Sequence, residues 1–411
     1  MTDTASITMS TVEGDEFRAR CRAFLEQHAT GIAYDGPDPR GDRSLAAARA
    51  FQRALAVAGL AGLTYPTEYG GAGLTKAHDR IWREEYGHFP DMTFQLTISH
   101  GMCLPVLNDF GTDEQKRRFM PPNITGEHLW CQMFSEPGAG SDVASLQTRA
   151  VRDGDEWVIN GQKVWTTLAH QCDFGVLIAR TNPDVPKHAG ISMFIVDMHA
   201  PGVEIRPIHQ IDGGTHFNEI FFTDVRIPAE WLLGELNNGW NQATAMLMYE
   251  RVAIGTGSTS GITRPTADRL IEEARRRGAI GDPVLRQDLM RLYSEETAKS
   301  LVSMRTRAEM RAGRAPGPGG SLGKLHGSRI ARLGRALTCH IVGLDTDAWE
   351  PGGRGEQWAR TVLTSFGAGI AGGTDEIQKN IIGDRVLGLP REPAVDRDVP
   401  FRDLRVGTQS T

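Results

Sequence analysis

Three stretches of the chain hold residue types that could bind or turn over a ligand. The first is Trp130-Cys-Gln-Met-Phe-Ser-Glu-Pro-Gly-Ala-Gly-Ser-Asp142. An extended run ends in Ser135-Glu136-Pro137, a Gly138-Ala-Gly140 turn follows, and Ser141-Asp142 closes it. A strand feeding such a turn presents free N–H groups and two hydroxyls, which suits an oxygen-rich ligand. The same residues suit a tight turn in which Ser141 or Asp142 caps the next segment, and local chemistry does not separate the two. The second stretch is Trp157-Val-Ile-Asn-Gly-Gln-Lys-Val-Trp-Thr-Thr167. Asn160-Gly161 reads as a turn between strands. Trp165 beside Thr166 and Thr167 sets a flat aromatic next to hydroxyls, suiting either a planar heterocycle with polar edges or an ordinary core. The third is Glu250. If the chain after Trp240 is helical, Ala243, Met246, Leu247, Ala253, Ile254 and Gly257 share an apolar face with Glu250 in its middle. Desolvation there would raise the carboxylate's proton affinity and suit it to take a proton from carbon. A buried glutamate paired with an arginine is the alternative.

Two further motifs do not hold. Gly367-Ala-Gly369-Ile-Ala-Gly372 spells a dinucleotide-binding turn. It stands so close to the C-terminus that no parallel sheet can follow it, and a close-packed glycine turn that touches a ligand is the better reading. Gly323-Lys324 suggests a phosphate loop, but Pro318 stands where its first glycine belongs and Leu325 where its hydroxyl belongs.

The elements that must position these residues change type along the chain. Glu16 to His28, Leu45 to Ala58 and His78 to Tyr86 carry helical spacing. Trp157–Ile159, Phe174–Ala179, Ile191–Val196 and Ile220–Phe222 are short, β-branched or aromatic runs, and Gly154-Asp155 fits a hairpin turn. After Asn237-Asn238-Gly239 helical spacing returns, from about Trp240 to Thr256 and from Pro283 to Ala312. Helices, then strands, then helices is an α+β order, with segments 1–127, 128–235 and 236–411. The 411 residues are 40% hydrophobic and 23% charged with a net charge of -6, which disfavours nucleic acid as a partner. Five scattered cysteines give no metal or redox pair and suit a reduced compartment. No signal peptide or membrane-spanning run is visible, so a cytoplasmic location is expected.

The first two stretches together resemble the acyl-CoA dehydrogenase family. Gly59-Leu-Ala-Gly-Leu-Thr-Tyr-Pro-Thr-Glu-Tyr-Gly-Gly71, Phe217-Asn-Glu-Ile-Phe-Phe-Thr-Asp-Val-Arg-Ile-Pro228 and Gly373-Thr-Asp-Glu-Ile-Gln-Lys-Asn-Ile-Ile-Gly-Asp-Arg-Val-Leu-Gly-Leu389 resemble its N-terminal, middle and C-terminal segments, in order. The resemblance implies a helical N-terminal domain, a central β-barrel domain and a C-terminal four-helix bundle. It also implies FAD, an acyl-CoA substrate, an electron-transferring flavoprotein as acceptor, no metal, and a homodimer or homotetramer. By the same resemblance Gln132, Phe134, Ser135, Gly140 and Ser141 line the flavin, with Ser141 also near the acyl-CoA. Trp165 and Thr167 meet the isoalloxazine from the other side, and Thr374 and Glu376 touch FAD.

In many members the base that removes the α-proton is a Glu just before a C-terminal Gly-Thr pair, and that position here is Gly372. Long-chain and isovaleryl-type members instead place the base before an Arg on the first C-terminal helix, opposite a small residue. Tyr249-Glu250-Arg251 with Gly372 resembles that arrangement, which makes Glu250 the base and Arg251 a candidate for the substrate. The N–H of Gly372 or Gly373 would then help polarise the thioester carbonyl. The acyl tail would lie among Leu96 to Leu107 and the helix of Glu250, although His100, Met102 and Cys103 read better as core. Two departures stand out. Arg275-Arg-Arg-Gly278 lacks the Phe-Gly of the run that reaches a neighbouring subunit's FAD, and Trp349-Glu350-Pro351 replaces a Gln-rich, Gly-Gly element. They leave the adenine end unassigned. They also keep open a cofactor-poor subunit of a hetero-oligomer, beside a monooxygenase or oxidase of the same fold.

Overall fold

The structure, a computed structural model, describes residues 11–29, 42–255, 266–311, 319–350, 352–391, 393 and 396–404. At residues 11, 42, 43, 250–255, 307, 310, 311, 319 and 354 it describes the backbone alone. The chain opens with helices α1 (Thr11–His28), α2 (Asp42–Val57), α3 (Lys76–Tyr86), α4 (Leu104–Phe110) and α5 (Asp113–Ile124). A capping box starts α5: Gln115 N donates to Thr112 Oγ1 while Thr112 N donates to Gln115 Oε1. The same glutamine uses its Nε2 on the carbonyls of Glu230 and Leu232, at 2.6 and 2.9 Å. One side chain therefore both starts the helix and joins it to the strands. A single turn of π-helix, Ser99–Cys103, precedes α4. In it Met102 and Cys103 are buried in the core, and His100 Nε2 lies 2.7 Å from the carbonyl of Asn123. Burial there pushes the His100 imidazole down to about 4, so it is neutral.

The middle of the chain forms one eight-stranded sheet: β1 (Trp130–Met133), β2 (Arg149–Asp153), β3 (Glu156–Thr167), β4 (Phe174–Arg180), β5 (Ile191–Asp197), β6 (Val203–Ile208), β7 (Phe217–Pro228) and β8 (Leu232–Leu233). The order is β6-β7-β3-β2-β4-β5-β8, and β1 runs parallel to β4 with Trp130 opposite Phe174. The expected hairpin is present, Asp153 facing Glu156 across Gly154-Asp155. The expected turn at Asn160-Gly161 is not. Those residues lie inside β3, where pairing with β7 slips between Ile159 and Gly161. A strand pressed against a neighbouring segment explains the glycine. A Cβ on Gly161 would stand 2.6 Å from Thr148 Cα, and the extra residue of the slip lies in β7, where Thr223 and Asp224 face Asn160 alone.

Strands β4 and β5 are buried along most of their length, because helices cover one face and the curled sheet the other. Phe119, Trp130, Phe174 and Trp231 meet edge-on at 5.3–6.0 Å where the first helices seat on the sheet. Such aromatic pairs contribute about 0.5–1.5 kcal/mol each beyond area burial. Helices α6 (Gly239–Gly255), α7 (Ala267–Arg276), α8 (Pro283–Arg311), α9 (Gly319–Val342), α10 (Arg354–Thr364) and α11 (Asp375–Arg385) complete the chain. Leu270 and Ala274 of α7, Leu285, Leu289 and Leu292 of α8, and Leu337 of α9 build their core. Gly323-Lys324 lies inside α9, so no phosphate loop forms there. Gly367 to Gly372 is a turn between α10 and α11. No helix among the described residues is long and apolar enough to cross a membrane.

Gly161→Ala should lower stability by about 1–3 kcal/mol, because the added methyl overpacks β3 against Thr148. Urea unfolding checks this: a midpoint equal to wild type would show that the strand has room there for a side chain.

Candidate functional site

The loop after β1 is held by a buried charge. Lys163 Nζ, fully enclosed, donates to the carbonyl of Phe134 at 2.9 Å and to Glu136 Oε1 at 2.8 Å. Glu136 also accepts from Gln147 N at 2.7 Å and Thr148 N at 2.9 Å. Burial would raise the Glu136 carboxyl, but the Lys163 charge and these donors outweigh it and hold it below the usual carboxylate range. Val164 N donates to Ser135 O at 2.9 Å, so the first two sequence stretches are laced directly together. Gln132 and Ser135 are half-buried, Phe134 is buried, and Gly140 and Ser141 are exposed. Open space surrounds Gly140, where a Cβ would touch nothing. Asp142 caps no backbone N–H. Its Oδ2 accepts from Lys187 Nζ at 2.9 Å and from the Ser145 hydroxyl.

The far end of the chain braces the Arg180–Lys187 segment that holds this loop. Lys187 Nζ also donates to Asp396 Oδ2 at 3.3 Å. The buried Arg180 guanidinium donates to the carbonyls of Lys187 and Ala144 and lies 3.7 Å from the Phe401 ring. Phe401 N and Arg402 N donate to the carbonyls of Val185 and Pro183, at 2.9 and 3.0 Å.

The end of β3 makes a second wall. Trp165 has φ of +61°, unusual for a bulky residue, and its indole is 58% exposed. This excludes the core-tryptophan reading. Phe217 meets its ring edge-on at 6.0 Å. The buried Asn218 fixes the irregular backbone, its Nδ2 donating to Thr166 O at 3.0 Å while its Oδ1 lies 2.9 Å from His170 Nδ1. Thr167 is half-buried beside this opening, and Thr166 Oγ1 is buried with no partner among the described residues. An exposed aromatic face, an unsatisfied hydroxyl and an open glycine turn together fit a planar heterocycle carrying an oxygen-rich tail.

The C-terminal turn is a separate construction. Gly372 and Gly373 have φ of +68° and +85°, which a residue with a side chain adopts only under strain. Thr374 caps α11, its hydroxyl accepting from Ile377 N. Buried Asp375 accepts from Ser328 Oγ and Arg332 Nη1, at 2.8 and 2.6 Å, and so pins α11 to α9. Lys324 Nζ donates to Ala368 O at 2.7 Å and holds the preceding turn. Glu376 is exposed, with Lys379 at 3.9 Å. Among the described residues, Thr374 and Glu376 thus make their polar contacts within the C-terminal helices and none with the loop after β1. On α6, Ala243 and Met246 are buried, and Glu250 follows Met246 by four residues along the same helical line. The side chains of Glu250 and Arg251 lie outside the described residues.

Sequence reasoning passed over Lys163, Asn218, Arg180 and Lys187. Lys163 had a signal: it keeps the alternation of Trp157 and Ile159, the inward positions of β3. The arginines before Gly278 are engaged within the chain. Arg276 and Arg277 both pair with Glu273, whose carboxyl their hydrogen bonds hold down to about 2. Arg277 also meets Asp345 and the carbonyl of Val342. No cluster able to hold a metal ion occurs among the described residues.

Comparison with known proteins agrees with this fold. The sequence matches the family models for the acyl-CoA dehydrogenase N-terminal domain over residues 11–127, middle domain over 131–225 and C-terminal domain over 237–387. It is 39% identical over 382 residues to the acyl-CoA dehydrogenase IpdE1 of Mycobacterium tuberculosis, covering 92% of this chain and 98% of that one. The fold is similar to a steroid ACAD, Tcur3481-Tcur3483, with TM-score 0.74 and 28% identity over 93% of this chain and 99% of the other. It is also similar to the ChsE4-ChsE5 complex from Mycobacterium tuberculosis, with TM-score 0.71 and 28% identity over 94% of this chain and 100% of the other.

Lys163→Met would leave Glu136 buried without its cation, at an expected loss of about 3–5 kcal/mol. Adding Glu136→Gln should recover part of it, because no bare charge then remains. Unfolding midpoints of both single variants and the double variant check the coupling, and strictly additive losses would refute it. The carboxyl titrates lower in the folded chain than its ordinary 4.5. The stabilisation is therefore full above that value and fades as pH falls through the lower, folded one.

Proposed function

Because the chain belongs to the acyl-CoA dehydrogenase family, we propose that it carries out FAD-dependent α,β-dehydrogenation of an acyl-CoA thioester with Glu250 as the base. One paired observation carries the assignment of the base. Gly372, where many members hold a glutamate, has a left-handed backbone and no side chain, while Glu250 stands on the helical line of buried Ala243 and Met246. A thioester α-proton is very weakly acidic. Its removal needs a carboxylate against Cα and donors at the carbonyl oxygen, where charge develops. Glu250 takes the proton, the N–H of Gly372 or Gly373 receives the oxygen, and Arg251 is assigned to the substrate side.

FAD, when bound, would supply the acceptor for the β-hydride, and an electron-transferring flavoprotein would be the partner that takes up the two electrons. Gln132, Phe134 and Ser135 would hold its polar edge, and Gly140 and Ser141 its phosphates or the acyl-CoA. Trp165 and Thr167 would cover the ring, and Thr374 and Glu376 would add contacts from the C-terminal turn. The exposed indole and the open turn at Gly140 support this placement. We assign a bulky acyl group, since glycine at 372 leaves side-chain volume free beside the reacting carbons and one similar structure is named a steroid ACAD.

Assembly with a non-identical subunit is the second reading. Arg276 and Arg277, in the segment that reaches a neighbour's FAD in other members, are committed to Glu273. Two similar structures carry paired names, Tcur3481-Tcur3483 and ChsE4-ChsE5. A purified chain that shows the visible flavin band only after mixing with a second subunit would favour this reading.

Glu250→Gln should keep its flavin and lose about 10²–10⁴-fold in the rate at which acyl-CoA bleaches it anaerobically. Stopped-flow bleaching over acyl-CoAs of different length and branching makes the measurement. A variant that bleaches at the wild-type rate sinks the assignment.

A further inference from the structure

Residues 396–404 lie beyond the matched C-terminal domain, which ends at 387, and the mechanism above gives them no task. They form a strap on the segment between β4 and β5. That segment, Asn182-Pro-Asp-Val-Pro-Lys187, holds two prolines, which have no N–H to donate, so it pairs poorly with itself. The strap brings donors: Phe401 N donates to Val185 O at 2.9 Å and Arg402 N to Pro183 O at 3.0 Å. Pro400 faces Pro186 as in a β-bridge, and Arg402 pairs with Asp184. The Phe401 ring lies 3.7 Å from the Arg180 guanidinium, a cation only 4% exposed. Asp396 accepts from Lys187 Nζ at 3.3 Å.

Both anchors of the strap are also anchors of the loop after β1. Arg180 donates to Ala144 O at 2.6 Å, and Lys187 to Asp142 Oδ2 at 2.9 Å. Asp142 and Ala144 follow directly on the turn at Gly138 to Ser141, which has open space around Gly140. We infer that the strap, through Phe401 on Arg180 and Asp396 on Lys187, sets the affinity of this turn for the oxygen-rich diphosphate part of FAD. The inference rests on the cofactor placement proposed above. A glycine turn that is loose in the free protein loses conformational freedom when a ligand orders it, and that loss subtracts from affinity. Bracing the exit of the turn in advance removes part of the loss. Phe401 and Asp396 are thus positioning residues, acting only through Arg180 and Lys187. Phe401 should matter more, because its ring covers a buried charge, whereas Asp396 is 41% exposed and its ion pair is open to water.

The test uses the full-length protein in its assembled state, stripped of flavin and titrated with FAD, with flavin fluorescence reading the Kd. Phe401→Ala should raise it about 10–50-fold and Asp396→Asn less than about fivefold, while Phe401→Tyr, which keeps the ring, stays near wild type. Reciprocity supplies a readout that a merely structural strap would not move. If the strap favours FAD, then FAD favours the strap. Amide exchange at Phe401 and Arg402 of the wild type should therefore slow by a similar factor at saturating FAD. This measurement needs no variant and decides the matter should Phe401→Ala fail to fold. Wild-type FAD affinity in Phe401→Ala, or equal exchange at the two amides with and without FAD, would overturn the inference, even where the variant is less stable. A wild type that takes up no FAD at all would instead remove the cofactor placement, and the strap's role with it.

Discussion

Lys163 and Glu136 face each other in a dry interior, and around that pair the wall of the candidate site takes its shape. A charge is costly to bury, and an apolar pair of similar volume is often as stable or more so. Here the charges have other duties. The carbonyl of Phe134 and the N–H groups of Gln147 and Thr148 all need partners away from water. One ammonium and one carboxylate supply them together. The loop from Phe134 to Thr148 is thereby fixed to β3, the strand that delivers Trp165. Without the pair, the exposed indole and the glycine turn would belong to two elements free to drift apart.

The C-terminal half uses another device. Its turn of two left-handed glycines is held by side chains of α9 and α11 rather than by the sheet. The wall at Trp165 and the turn at Gly372 are thus independently braced. Such a division lets one vary without disturbing the other. It accords with a family in which the base occupies either of two positions while the middle domain keeps its pattern.

Much of this organisation can be read from the residues. Helix, strand and helix zones follow from periodicity, and Gly154-Asp155 is a local turn with local chemistry. Asn160-Gly161 has the same spelling, yet it continues the strand, because β7 pairs across it and Thr148 packs against the glycine. Pattern alone does not contain that contact. Lys163 escaped notice since a lysine in a strand is ordinarily a solvent-facing residue; only its phase with Trp157 and Ile159 betrays it. Arg180 and Lys187 gain their meaning from partners far off in sequence, at Ala144 and Asp142 and near the end of the chain. The candidate base was visible through an absence, the glycine at 372, more than through its own surroundings.

The clasp on the loop after β1 has a consequence for the order of folding. Asp396 and Lys187 are 209 residues apart in sequence. Closing so long a segment costs chain entropy before any contact repays it, so pairings of this span form late. The ties of Lys163 to Glu136 and of Lys187 to Asp142, 27 and 45 residues apart, close first, and the brace of Asp396 and Phe401 behind Lys187 and Arg180 is added to a loop already in place.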